Sequence, residues 1–231
     1  FKEALDYLKN WKSVPSLKPV KKTAAKVLEK REESSFSLKT ICEYYHKHFG
    51  DTARSYLLSR GFSETQVNKL VNRFALGFAD GSVLKKVSNG QAEALKELGI
   101  INEKGREHFT GCLTVPLQDA SGLPAGIYGR KTNDRSRIKH LYLSGPHKGL
   151  FNRKALTVYD EIILTESVID ALSLLAAGIQ NVTALYGTNG LTELHLCAFK
   201  ETRVKTVILA LDNDEAGKKA AGKIQRTLLL E

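Results

Sequence analysis

The spacing of apolar residues changes character partway along the chain. From Leu38 to Ser59 apolar residues recur at helical intervals. Gly61 then sits where a helix would end, and Ser63 with Gln66 forms a capping box ahead of a second helix. Short β-rich stretches predict strands near 75–79, 112–118 and 123–131, the last two joined by the turn Asp119-Ala-Ser-Gly122. From Glu161 the pattern becomes strand, helix, strand, helix, strand, helix. The strands fall at 161–164, 181–185 and 204–211, one helix at 168–177 before Gly178, and the last helix at 215–230. Buried parallel strands read as uninterrupted apolar runs of this kind. The pattern therefore predicts an α/β unit with a parallel sheet and flanking helices over 158–231, preceded by an α+β lobe over 37–157. Upstream, Phe1, Ala4, Leu5 and Leu8 share one helical face. Proline, lysine and Glu32-Glu-Ser-Ser then follow as in a linker, which sets residues 1–36 apart.

Two acidic clusters lie where apolar runs end. Glu161-Ile-Ile-Leu-Thr-Glu166 is followed by Asp170 one helical turn on, and Val204-Lys-Thr-Val-Ile-Leu-Ala-Leu delivers Asp212 and Asp214. Open α/β sheets bind ligands outside the carboxyl ends of their strands, so these four carboxylates are expected to converge at one edge. Like charges so placed call for a cation, and hard oxygen donors suit Mg²⁺ or Mn²⁺. Taken singly, each cluster reads equally well as helix capping; together they predict a metal-assisted phosphoryl-transfer site.

Charge divides the chain the same way. Residues 1–160 carry 28 Lys or Arg against 16 Asp or Glu, whereas residues 161–231 carry 7 against 9. A basic lobe joined to an acidic one suits holding a polyanion beside a metal site, although a basic surface also serves plain solubility. Arg130, Lys131, Arg135, Arg137 and Lys139 place five cations in ten residues, either as phosphate contacts or as a solvated hairpin tip. Tyr128 and Tyr142 beside them are read as base-stacking or core residues. Gly187-Thr-Asn-Gly190 reads as an anion-holding turn or simply a tight one, and His195 and Cys197 as packing residues. Cys42, Cys112 and Cys197 show no paired spacing, which argues against zinc in this stretch and fits a reducing cytoplasm. No apolar stretch approaches a membrane span, and the absence of methionine points to a piece of a longer chain.

Glu166-x-x-x-Asp170 with Asp212-x-Asp214 resembles the Toprim domain of primases, topoisomerases and some nucleases. Other stretches are, in order and spacing, similar to the bacterial replicative DNA primases, including their mobile-element relatives. They are Tyr56-Leu-Leu-Ser-Arg60-Gly-Phe-Ser, Phe74-Ala-Leu-Gly-Phe-Ala, Leu113-Thr-Val-Pro116-Leu-Gln-Asp119, Gly126-Ile-Tyr-Gly-Arg130, Tyr142-Leu-Ser-Gly-Pro146 with Leu150-Phe151, and Ala184-Leu-Tyr-Gly187-Thr. The resemblance implies a Toprim-type sheet behind a basic lobe, with residues 1–36 closing a zinc-binding module and a further acidic motif beyond residue 231. It also implies template-directed synthesis of RNA primers on single-stranded DNA from nucleoside triphosphates, yielding an RNA–DNA hybrid and working with a replicative helicase. Asp212 and Asp214 would ligate metal, Asp170 would organise the cluster, and Glu166 would ligate metal or move a proton. Arg60 and Arg130 would line the template and nucleotide groove. The chain departs from the family pattern in Ser167 and Asn213, where glycine is usual, and in Leu141, where a lysine is usual and Lys139 stands two residues away. Two alternatives stand beside this reading: strand cleavage at the same Toprim site, and a non-catalytic module that binds single-stranded DNA, which Ser167 and Asn213 keep open. The basic Pro146-His147-Lys148 leans towards the mobile-element kind.

Overall fold

The computed structural model describes residues 37–87, 89–133 and 135–230. The helix expected over 1–11 and the linker after it lie outside the described residues.

Helix α1 (Leu38–Lys47) starts where the Ser37 hydroxyl accepts the Thr40 N–H, and it buries Ile41, Cys42 and Tyr45. Helix α2 (Asp51–Ser59) begins after Gly50 and buries Ala53, Tyr56 and Leu57. The single helical pattern expected over 38–59 is thus two helices. Their apolar stripes continue in phase across Gly50, so periodicity alone could not show the break. The two stripes serve different cores: α1 packs with Val83, Leu95, Phe109 and Ile127, and α2 with Val67, Leu113, Tyr128 and Phe151. Helix α3 (Glu64–Phe74) opens on the expected capping box of Ser63 and Gln66.

A four-stranded antiparallel sheet follows, in the order β1 (Gly77–Ala79), β2 (Cys112–Gln118), β3 (Pro124–Lys131) and β4 (His140–Tyr142). Between β1 and β2 lie a 3-10 turn (Val83–Lys86) and helix α4 (Asn89–Glu97), neither of which the sequence pattern announced. The β2–β3 turn forms because Asp119 Oδ1 accepts the N–H groups of Ser121 at 2.8 Å and Leu123 at 3.1 Å.

After the short helix α5 (Lys154–Val158) come β5 (Glu161–Thr165), α6 (Val168–Ala176), β6 (Val182–Ala184), α7 (Glu193–Glu201), β7 (Thr206–Ala210) and α8 (Glu215–Leu230). The three strands form a parallel sheet in the order β6-β5-β7, as the alternating pattern requires. One core cluster runs through both lobes, joining Tyr56, Leu70, Leu113 and Tyr128 to Val168, Ile169, Leu172, Val182 and Ala184. Polar ties reinforce it. Gln66 donates to the Ala176 carbonyl at 2.8 Å, and Asn152 to the Val182 carbonyl at 2.8 Å. The parallel-sheet edge is thereby held against the basic lobe.

Candidate active site

Glu166 is the residue that leaves central strand β5. Strand β5 pairs with β7 in parallel with Thr165 opposite Ala210, so Glu166 and Asp212 emerge side by side from the same edge. Ser167 caps α6 reciprocally with Asp170, whose Oδ2 accepts the Ser167 N–H at 3.1 Å and the Ser167 hydroxyl at 2.6 Å. Serine in place of glycine therefore supplies the helix cap. Asp214 Oδ1 accepts the Gly217 N–H at 2.7 Å at the start of α8. Gly217 lies so close to the Asp212 backbone that a Cβ there would come 2.0 Å from the Asp212 carbonyl oxygen.

Capping and clustering are therefore both real. Glu166, half-buried, is pushed above the usual carboxylate range, first by desolvation and then by the Asp212 charge. Thr188 counters this, its hydroxyl 3.4 Å from Glu166 Oε1, while Asp170 and Asp214 push the same way as Asp212. The turn 187–190 is closed on itself and on this site. Gly190 N–H donates to the Gly187 carbonyl at 2.8 Å, and Gly187 N–H donates to the Glu166 carbonyl at 3.1 Å. Those two amides are engaged within the turn, whose contribution is the Thr188 hydroxyl.

The four carboxylates share one edge without forming a closed cage. Among the described residues, no three His, Cys, Asp or Glu side chains are grouped so as to hold a metal ion. The donor chemistry nevertheless fits a hard divalent cation. Asp212 is exposed and accepts no hydrogen bond from the described residues, and Asp170 and Asp214 each keep one oxygen free. Mg²⁺ commonly takes one or two carboxylates and completes its shell with water and substrate phosphates, which such an arrangement allows.

The cations divide. Arg60 caps the C-terminus of α2 and is exposed. Arg135, Arg137 and Lys139 are exposed between β3 and β4. Lys131 turns to the other side of β3, where its ammonium donates to the Thr110 carbonyl. Arg130, expected on the same basic run, is instead 8% exposed within the sheet. Its Nε donates to the Tyr56 hydroxyl at 2.9 Å, and its Nη1 meets His140 Nε2 at 2.5 Å. His140 Nδ1 in turn lies 2.9 Å from the Tyr128 hydroxyl. His140 is held below the usual histidine range by partial desolvation and then by Arg130, with Lys139 and Arg60 adding to the effect and Asp170 opposing it. Cations of the basic lobe and Asp170 of α6 thus act on the same residue, His140. Tyr56, His140 and Thr188 are the members that sequence reasoning missed, and Tyr128, read there as a stacking or core residue, meets His140 through its hydroxyl. The pairing Arg130↔His140 depends on β3–β4 register, and no local signal carried it.

Tyr128 is fully buried and belongs to the core, whereas Tyr142 is half-buried and packs edge-on against the stacked pair of His147 and Tyr186. His195 is buried as expected, whereas Cys197, expected to pack, is exposed because it lies on the outer face of α7. His46 and His48 bond to separate carbonyls, those of Leu76 and Tyr44, and form no metal pair with each other.

Comparison with known proteins places this geometry. Residues 42–161 match the family model described as DNA primase catalytic core, N-terminal domain, and residues 163–230 match a Toprim-like model. The DNA primase of Thermotoga maritima is 32% identical over 198 residues, covering 77% of this chain and 33% of that protein. That of Campylobacter jejuni is 28% identical over 218 residues, covering 84% and 35%. The crystal structure of the zinc-binding and RNA polymerase domains of Aquifex aeolicus primase superposes with a TM-score of 0.68 at 29% identity, covering 84% of this chain and 51% of that one. The Escherichia coli primase catalytic core does so with a TM-score of 0.67 at 25% identity, covering 80% and 64%. The chain spans about a third of the length of these two curated relatives. With the antiparallel lobe and the acid-edged parallel sheet both accounted for, the chain belongs to the bacterial DNA primase catalytic-core family.

Proposed function

We propose that this chain is the polymerising core of a DNA primase, which joins ribonucleotides on a single-stranded DNA template. Residues 37–157 hold the polyanion and residues 158–231 supply the acidic edge. The observation that carries this reading is electrostatic: Arg130, Lys139 and Arg60 disfavour a charge on His140 while Asp170 favours one, and Asp212 raises the pKa of Glu166, so the basic lobe and the acidic edge act within reach of each other. Phosphates and divalent cations need such facing charges.

Glu166, Asp212 and Asp214 would hold Mg²⁺ or Mn²⁺, with Asp170 fixing the start of α6. When bound, the ions would supply charge stabilisation for the entering and leaving oxygens of the α-phosphate. The chain's own part is to position. Ser167 and Asp170 lock the first turn of α6, and Gly217 lets α8 close onto the Asp212 backbone. Thr188 steadies Glu166, whose carboxylate would either ligate the metal or take the proton of the attacking 3′-hydroxyl. Arg60, Arg135, Arg137 and Lys139, exposed, and Lys131, half-exposed, would contact template and nucleotide phosphates, leaving an RNA–DNA hybrid as product. A helicase and a zinc module would act through other parts of the parent protein.

Incorporation of labelled ribonucleotides on single-stranded DNA by the full-length protein tests this. Synthesis lost with Asp212→Ala while DNA affinity is retained supports it. Undiminished synthesis removes Asp212 from the mechanism, and nicking of supercoiled DNA without any synthesis would favour strand cleavage instead.

A further inference from the structure

Arg130 presents an unusual balance. Its guanidinium cannot be deprotonated, it is 8% exposed, and among the described residues it has only neutral partners, the Tyr56 hydroxyl and His140. A buried cation without a counter-anion is unfavourable until an anion arrives. Three of its five N–H groups, one on Nη1 and two on Nη2, have no partner among the described residues.

The chemistry of its contacts fixes the state of His140. Arg130 can only donate, so His140 Nε2 must be the bare, accepting nitrogen of a neutral ring. The ring proton then sits on Nδ1 and is donated to the Tyr128 hydroxyl, which is itself fully buried. Arg130 on β3, Lys139 just before β4 and Arg60 at the end of α2 all disfavour a charged imidazole here, and Asp170 favours one. Tyr56 grips one side of the guanidinium and His140 the other, so its plane is set before any ligand binds.

We propose that His140 is a positioning residue that, as a neutral acceptor braced by Tyr128, orients Arg130 so that its free N–H groups receive a phosphate group of the nucleotide or the template strand. This rests on the primase reading above and adds to it a residue that acts through another. Preorganised guanidinium forks bind phosphate well because little side-chain freedom remains to be lost.

A double-mutant cycle in the full-length protein tests the proposal, read by fluorescence polarisation with two probes, a labelled oligo-dT and a fluorescent ATP. The variants are R130Q, H140F, H140Q and R130Q/H140F, each checked for an intact fold by its thermal transition. R130Q should weaken at least one probe about tenfold, and the probe affected identifies the source of the phosphate. H140F, which fills the space without an acceptor, should weaken the same probe severalfold. H140Q, a neutral acceptor, should stay close to the wild type. Adding H140F to R130Q should cost nothing further. The proposal is overturned if the two losses multiply, if H140Q is as weak as H140F, or if R130Q leaves both probes unaffected. Retention of Asp212-dependent ribonucleotide incorporation in any of these cases would show that the positioning role has failed while the primase reading stands. Should H140F fail to fold, H140Q and H140L carry the same comparison.

Discussion

Acidification should weaken the α/β unit through His195. This imidazole is buried where α7 meets β6, its Nδ1 accepting the Thr192 N–H at 3.2 Å and its Nε2 donating to the Ala184 carbonyl at 3.1 Å. Burial pushes its pKa down from 6.5 to about 4, the Ala184 carbonyl opposing and His147 adding slightly. The folded state thus keeps the ring neutral down to about pH 4, whereas the unfolded chain takes up the proton near pH 6.5. Below 6.5 the unfolded state binds more protons, so stability falls as pH falls, by up to about 1.4 kcal/mol per pH unit. Over the interval between the two pKa values the loss attributable to His195 is on the order of 3 kcal/mol. Above pH 6.5 this residue contributes no slope. A charged ring would also turn a second N–H towards the Thr192 N–H, breaking the α7 cap. Urea denaturation of wild type and His195→Gln at several pH values from 7.5 to 4.5 would measure it. The variant should be less stable at neutral pH, and its deficit should shrink as pH falls. Parallel pH profiles for the two proteins would refute the reasoning, since they would mean that His195 is not buried neutral.

Gly217→Ala should cost about 1–3 kcal/mol and impair incorporation, because its Cβ would overlap the Asp212 carbonyl and displace the aspartate pair. An unchanged melting temperature together with full activity would contradict that packing. Asp212→Ala in chelator should melt no lower than wild type, and it should return the Glu166 pKa towards its ordinary range, as read by carboxylate NMR. A marked fall in melting temperature would show that the acids are not repelling one another. Single-stranded DNA should bind residues 1–231 through the basic lobe with a dissociation constant on the order of 10⁻⁴ to 10⁻⁶ M that weakens steeply with salt. Salt-independent binding would rule out phosphate contacts as its source.

Much of the parallel-sheet unit was legible in the chain. Buried parallel strands are continuous apolar runs, so Ile162-Ile-Leu and Val207-Ile-Leu declare themselves, and α8 falls at Glu215–Leu230, where its periodicity puts it. The Ser63–Gln66 capping box was equally readable because it is a local bargain between residues three apart. Local sequence also placed the four acids where a strand gives way to a helix. What it could not supply was distance between segments. Whether Glu166 lies beside Asp212 depends on the β5–β7 register, and whether Arg130 faces solvent or His140 depends on the β3–β4 register. Helix α4 has a weak apolar face and passed unnoticed, while the break at Gly50 exists because the helices on either side of it serve different cores. The chain alone therefore determined which chemistry it carries and on which elements. Only the tertiary structure decided that the acidic ends of β5 and β7 emerge side by side, and that one of the expected surface cations, Arg130, is a buried and oriented one, because both outcomes depend on contacts between residues far apart in sequence.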